Sequence, residues 1–253
     1  MELITTDDFE WLSHLINVYQ MDQNESVRLE GLCCISSLVD ACHSLIPFLL
    51  NSRLPEVLAL EFQTVDTTLT ELHHIAIKLL TKIYSTDRPP PLNHFEFFDW
   101  NFFMKIIGHL KEHPSEILDY MVNFSYLIPE GIDNAVVLAL ESNPCPLLGQ
   151  LLVKVVNEEI SDRRLKFFID IVEHGALYKE LFYENDLDVL SHVVARELGN
   201  SEVVQIRSRC MECIARLAEI GHCDRMVREA VENFDLDEEL RSRTLAVINR
   251  HLP

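Results

Sequence analysis

Residues 181–198 read LFYENDLDVLSHVVAREL, and this stretch predicts an amphipathic helix together with its start signal. Asn185 and Asp186 are residue types that cap helix N-termini. Leucine and valine then recur every three or four positions, which is the spacing of one buried helical face, at Leu187, Leu190, Val194 and Leu198. Gly199-Asn200 follows as a pair that favours a left-handed stop. We therefore predict one helix that begins near Asp186, ends near residue 198 and buries its leucine face.

The same capped, three-to-four pattern repeats along the whole chain. Apolar residues return at helical spacing in segment after segment, proline or asparagine stands at many of the joints, and no segment sustains the alternation of a strand. Only 7 of the 253 residues are glycine, which favours helices over turn-rich sheets. These features predict an all-α fold, specifically an armadillo/HEAT-like α-solenoid of about a dozen helices, in which each layer buries its apolar face on its neighbours.

The triple proline Pro89–Pro91 is the one plausible domain boundary, because a helix cannot continue through it. Apolar helical segments of similar character flank it on both sides, and neither flank has the serine- and glycine-rich composition of a flexible linker. We therefore predict a single domain over residues 1–253, with Pro89–Pro91 as an internal loop.

Charge and cysteine content limit the classes of partner and compartment. The net charge of −20 argues against generic binding to nucleic acid or to an anionic membrane surface. The opening MELITTDDFEWL lacks the basic region of a signal peptide, and no apolar run approaches the roughly 20 residues of a membrane span. Seven cysteines, an odd number without such a signal, predict reduced thiols. We expect a cytoplasmic protein without membrane insertion.

One group of residues superficially resembles a zinc site: Cys210 and Cys213, followed by His222 and Cys223. The first two cysteines, however, share one apolar helical stripe with Ile206, Ile214 and Leu217, so they are interpreted as small core residues. Cys33, Cys34 and Cys42 stand in similarly apolar helical surroundings and receive the same interpretation. We predict no metal site.

Nothing else in the sequence indicates catalysis. The aromatic residues between Phe95 and Phe103 resemble a ligand box, but helical layers commonly bury such clusters, and core packing is the favoured interpretation. No Walker loop, nucleophile elbow or kinase signature is present. The expectation is therefore a protein that is not an enzyme and that uses no cofactor and no small-molecule substrate.

Several short motifs follow one another in an order that resembles a known family. They begin with Ser26-Val27-Arg28 and Leu49–Pro55, continue with Val122–Phe124, Ile128-Pro129, Asp133–Val137 and Val156-Asn157, and end with Phe182-Tyr183, Asp186, Arg196 and the region after Ser201. From residue 26 to residue 253 this order is similar to the C-terminal leucine-rich domain of the WISH/Dip/SPIN-ninety actin regulators. The match is most characteristic in the helix of residues 181–198.

The resemblance implies a non-catalytic activator of the Arp 2/3 complex. Members of this family promote filament-independent nucleation of linear actin filaments, so the implied partner is the Arp 2/3 complex, with actin bound only indirectly, and the implied location is the actin cytoskeleton. Two alternatives stay open at this point. One is a general armadillo/HEAT-like protein-binding scaffold for an unrelated partner, and the other is a helical metalloenzyme.

The C-terminal third is the predicted binding surface, because residues 161–253 hold 13 of the 21 lysines and arginines. Tyrosine and arginine are common interface anchors. The predicted partner-binding residues are Tyr183, Asp186, Arg196 and Arg207. Structural roles are open for the first three: Tyr183 could pack against the preceding helix, Asp186 could serve only as a cap, and Arg196 could complement the helix dipole.

Overall fold

A computed structural model describes residues 9–63, 68–234 and 238–251 of the chain. All regular secondary structure in these ranges is helical, and the ranges contain no strand, so the predicted all-α class is confirmed. They contain sixteen α-helices, which is more than the predicted dozen. The difference comes mainly from helices of only four or five residues, such as Ile46–Leu50, His94–Phe97 and Leu177–Leu181.

The chain divides into two compact units, and the first covers residues Met1–Ala139. A 3-10 turn, His43–Leu45, joins its second and third helices, and Pro89–Pro91 forms a loop between its fifth and sixth. The helices of this unit are α1 Glu10–Met21, α2 Glu25–Ala41, α3 Ile46–Leu50, α4 Leu54–Gln63, α5 Glu71–Ile83, α6 His94–Phe97, α7 Trp100–Gly108 and α8 Pro114–Tyr126, while α9, Ala135–Ser142, spans the boundary.

The second unit covers residues Leu140–Pro253. Its helices are α10 Pro146–Glu158, α11 Asp162–Glu173, α12 Leu177–Leu181, α13 Glu184–Asn200, α14 Val204–Glu219, α15 Arg225–Glu232 and α16 Glu238–His251. Whether the two units form the single domain expected from the sequence stays a prediction.

Helices in both units pack with a period of three. In the first unit α2 contacts α5, α5 contacts α8, and α4 contacts α7. In the second unit α10 contacts α13 and α11 contacts α14. Packing of a helix on the third helix after it is typical of a repeat of three helices, although α14 also packs on α16 and α13 on α15 at the end of the chain.

Polar side chains connect neighbouring layers within each unit. In the first unit, Lys82 of α5 reaches α2, where its Nζ lies 2.7 Å from a carboxylate oxygen of Asp40. In the second unit, Arg209 of α14 donates from Nε to Asp162 of α11 over 2.7 Å. These links fix the register of helices whose apolar faces alone would tolerate sliding.

Local sequence signals start many of the helices. The side chains of Asn24, Asp99, Ser161 and Asp224 accept hydrogen bonds from backbone N–H groups in the first turns of α2, α7, α11 and α15. Pro114 and Pro146 occupy the first positions of α8 and α10, where the missing N–H has no helical partner to lose.

Helix α13, predicted from near Asp186 to near residue 198, has its predicted buried face but not its predicted ends. Leu187, Leu190, Val194 and Leu198 are all buried, as expected. The N-cap, however, is Tyr183 rather than Asn185 or Asp186, and its side chain makes no capping hydrogen bond. At the other end Gly199 is helical instead of forming a left-handed stop, and α13 continues to Asn200.

The cysteines divide into buried and accessible groups. Cys210 and Cys213 are fully buried, so their core assignment is confirmed, and burial raises the pKa of the Cys210 thiol to about 12. The same assignment was wrong for Cys34, which is exposed on α2, and Cys33 and Cys42 are only half-buried. Within the described ranges, no three or more histidine, cysteine or acidic side chains are grouped so that they could hold a metal ion.

The core of the first unit contains a cluster of aromatic rings from α5, α7, α8 and the α6–α7 segment. Its fully buried members include Tyr84, Phe98, Phe103, Tyr120 and Phe124. Neighbouring ring centroids lie 4.9 to 6.2 Å apart, mostly in edge-to-face or tilted arrangements. The predicted core role of the aromatic run is thus confirmed for Phe98, Phe102 and Phe103, whereas Phe95 and Phe97 are half-buried and Trp100 is 44% exposed.

Acidification is expected to destabilise the first unit through His94. This side chain is buried and lies 2.8 Å, Nδ1 to Oη, from Tyr84, and burial lowers its pKa to about 4. In the unfolded chain the pKa is near 6.5, so below that pH the unfolded state takes up a proton that the folded state refuses. The contribution of His94 to the free energy of unfolding should be complete above about pH 6.5 and fall by about 3 kcal/mol by pH 4.

The measurement is urea denaturation between pH 7 and pH 4 on the wild type and on His94→Gln, which cannot titrate. Other groups contribute to both profiles, so the difference between the two isolates His94. We expect the wild type to lose more stability than His94→Gln over this range. Parallel profiles would show that His94 does not cause the pH dependence.

Among the described helices, none by itself has the length and apolarity to cross a membrane. The consecutive segments Glu25–Ala41 and His43–Leu50, which meet at 114°, pass that test only when they are taken as one broken span.

Candidate protein-binding surface

The solvent-facing side of α13 carries a stripe of four side chains opposite its buried leucine face. Asp188, Val189, His192 and Arg196 recur at the spacing of neighbouring helical turns, and we call them the α13 stripe. Val189 is 50% exposed although it is apolar, and Arg196 is exposed one turn beyond His192. The stripe therefore combines an exposed aliphatic group with a cation.

Two histidine–aspartate pairs hold the α14–α15 connection against this stripe. Nδ1 of His222 lies 2.8 Å from Oδ1 of Asp188, and Nε2 of His192 lies 2.9 Å from Oδ2 of Asp224. Helix α13 thus supplies the aspartate of one pair and the histidine of the other, and the α14–α15 connection supplies their partners. The two pairs fix the position of the residues that precede α15.

Asp224 has a second role, because it also caps α15 by accepting a hydrogen bond from the N–H of Val227 over 3.0 Å. Burial by itself would raise the pKa of this carboxyl group, but the hydrogen bonds from Val227 and His192 outweigh it and hold the pKa below its usual value. Asp224 therefore stays ionised. Two residues later, Met226 is 60% exposed and adds a second apolar group to this junction.

Arg196 differs from most cations of the second unit in its surroundings. Within the part of the chain that the structure describes, no carboxylate forms an ion pair with it. By contrast, Arg209, Arg216, Arg225 and Arg228 each have at least one acidic partner. An exposed guanidinium on the same helical face as an exposed valine, Val189, has the character of an interface anchor.

Tyr183 and Asp186 lie at the opposite end of α13 from Arg196. Tyr183 is 60% exposed, so it does not pack into the preceding layer. Asp186 lies in the first turn, where its charge complements the helix dipole. Thirteen residues separate Tyr183 from Arg196, or about 20 Å along the axis. The structure therefore does not bring these predicted residues into one compact patch.

Arg207, the fourth predicted residue, is half-buried on α14. Its guanidinium carbon lies 5.0 Å from the centroid of the Phe234 ring, which is itself only 2% exposed. A cation over an aromatic face at this distance is a stabilising packing arrangement. Arg207 thus joins α14 to the segment after α15 and is not a member of the α13 stripe.

Val189 and His192 lie on the same helical face as Arg196 and were not among the predicted binding residues. Both were visible in principle, because they precede Arg196 by seven and four residues, the spacing of one helical face. Asp224 could not have been found in this way, since it reaches His192 only through tertiary packing of α15 against α13.

Comparison with known proteins bears on the fold. No protein family model matches the chain. The chain is similar to the solved structure of a designed armadillo repeat protein, YIII(Dq)4CqI, with a TM-score of 0.53 and 12% sequence identity, over 95% of this chain and 99% of the designed one. At this identity the likeness concerns the fold alone. The fold is an armadillo-like α-solenoid, as predicted from the helical pattern.

Proposed function

We propose that this chain is a non-catalytic protein-binding scaffold and that its partner is the Arp 2/3 complex, whose filament-independent nucleation of linear actin filaments it promotes. Armadillo-like stacks expose long rows of side chains on consecutive helices, which suits the binding of another protein. The choice of partner rests on the ordered motifs that resemble the WISH/Dip/SPIN-ninety family between residues 26 and 253.

The observation that supports the proposal most is the position of Arg196. It belongs to the helix with the strongest family resemblance, it is exposed, and no described carboxylate neutralises it. A protein with a net charge of −20 has many carboxylates with which an arginine could pair. An arginine without such a pair on a semi-apolar stripe is therefore available to a partner.

An activator of this kind acts by binding one arrangement of its target more tightly than another. Moving a two-state equilibrium from 1:99 to 99:1 requires a difference of about 5.5 kcal/mol in binding free energy. A surface that bends during binding would lose part of that difference. The links between α11 and α14, through Arg209 to Asp162 and Arg216 to Glu173, stiffen the second unit against such bending.

Charge reversal at Arg196 tests the proposed surface. We expect Arg196→Glu to weaken binding to purified Arp 2/3 complex about tenfold, because a repulsive charge replaces an anchor, with no change in melting temperature. Biolayer interferometry with the immobilised complex measures the first quantity, and circular dichroism measures the second.

The matched control is Arg88→Glu, which makes the same change in net charge at an exposed arginine of the α5–α6 loop. This variant should bind like the wild type. Equal weakening by both variants would indicate a general charge effect and remove Arg196 from the surface. No binding of the wild type to the complex would refute the Arp 2/3 proposal and favour a scaffold for an unrelated partner.

A further inference from the structure

The second unit contains a groove between α14 and α16 that lies outside the α13 stripe. Its volume is about 400 Å³, within the range of roughly 300–1,000 Å³ that is typical of ligand clefts. Apolar lining comes from both helices, through Ala215 of α14 and Leu240 and Val247 of α16. Three arginines, from both helices, and two glutamates of α14, Glu212 and Glu219, also line it, so the groove is amphipathic.

The arginines that α14 contributes are already neutralised. Arg209 donates to Asp162 from Nε and to Glu212 from Nη1, each over 2.7 Å. Arg216 pairs with Glu219 over 2.9 Å and also with Glu173 of α11. Their guanidinium groups therefore hold α14 against α11 and present paired charges to the groove.

The arginines of α16 are different. Arg243 lines the groove, is exposed, and has no ion-pair partner within the described ranges. Arg250 follows seven residues later on the same helical face, about 10 Å further along the axis, and is likewise exposed and without an ion pair among the described residues. The α16 side of the groove therefore presents one cation, Arg243, without an ion pair among the described residues, and Arg250 lies on the same helical face beyond the groove lining.

We propose that this groove binds a short acidic amphipathic segment of a partner protein. Apolar side chains of the segment would cover Ala215, Leu240 and Val247, and its carboxylates would pair with Arg243 and Arg250. A basic segment would meet two unneutralised arginines at short range. This inference does not depend on the identity of the partner as the Arp 2/3 complex.

The probe is a fluorescein-labelled helical peptide that carries leucines at i and i+4 and glutamates at i+3 and i+7, measured by fluorescence anisotropy against the full chain. A second peptide has lysine in place of every glutamate. We expect saturable binding of the glutamate peptide only, with an affinity that falls as salt is added.

Two variants test whether the glutamate peptide binds in this groove. The double substitution Arg243→Glu with Arg250→Glu should weaken glutamate-peptide binding about tenfold or more. The two new carboxylates would repel the glutamates of the peptide that the arginines attract. Ala215→Phe should also weaken it by filling the groove. The control Lys111→Glu with Arg88→Glu changes net charge equally in the first unit and should leave binding unchanged.

Circular dichroism confirms that each variant is folded before its affinity is interpreted. Saturable binding that is lost in both groove variants and kept in the control supports the proposal. Absence of saturable binding to the wild type, equal binding of the lysine peptide, or retained affinity in either folded groove variant would overturn it.

Discussion

Phe124→Ala is expected to lower the free energy of unfolding by about 4 kcal/mol. The Phe124 side chain is fully buried, and its ring centroid lies 5.1 Å from those of Tyr84 and Phe103 and 5.4 Å from that of Phe98. Truncation removes the transfer free energy of the ring, leaves a cavity, and breaks several aromatic contacts at once. Urea denaturation followed by circular dichroism measures the change.

The matched control is Tyr120→Phe in the same cluster. This substitution keeps the ring and removes a buried hydroxyl group that has no hydrogen-bond partner among the described residues. Because that hydroxyl group is desolvated without compensation, we expect its loss to be neutral or slightly stabilising. A loss of less than about 1 kcal/mol for Phe124→Ala would contradict the tightly packed cluster.

Gly149→Ala is expected to destabilise the second unit by about 3 kcal/mol. Gly149 is buried in α10, and a Cβ atom built on it would lie 2.0 Å from the carbonyl oxygen of Leu181 at the end of α12. The obstacle is backbone rather than a flexible side-chain end, so α10 and α12 would have to separate. The gain in helix propensity, about 1 kcal/mol, is too small to offset this.

Gly31→Ala provides the matched control, because Gly31 is also inside a helix, α2, but nothing lies within 4 Å of the position of its Cβ atom. The control should be stabilised by up to about 1 kcal/mol. Thermal and urea denaturation of the two variants should therefore move in opposite directions. Stabilisation of both would show that α10 and α12 do not approach each other at Gly149.

The fold class could be predicted from the sequence because buried faces repeat at helical spacing. Leu187, Leu190, Val194 and Leu198 show this directly, since all four are buried in one helix. The helix ends were predicted less well. Asp186 and Gly199 are residue types that can also continue a helix, and packing of α13 against its neighbours extends it past both.

The candidate binding surfaces were harder to predict from the sequence than the fold class, because they depend on tertiary structure. Arg196 could be selected from its residue type and its helix, but only the folded surface shows that it forms no ion pair with a described residue. Arg207 is an arginine like Arg196, but only the folded structure shows that its guanidinium packs over the Phe234 ring. The groove beside Arg243 arises from two helices whose contact cannot be deduced from either segment alone.

The most direct measurement of the proposed function is pyrene-actin polymerisation with purified Arp 2/3 complex, in the absence of preformed filaments. We predict that the wild-type chain shortens the lag in proportion to its concentration and yields linear filaments, and that Arg196→Glu shortens it less than the wild type and Arg88→Glu do. A time course with the wild-type chain that coincides with Arp 2/3 complex alone, at concentrations that saturate binding, would contradict the proposal.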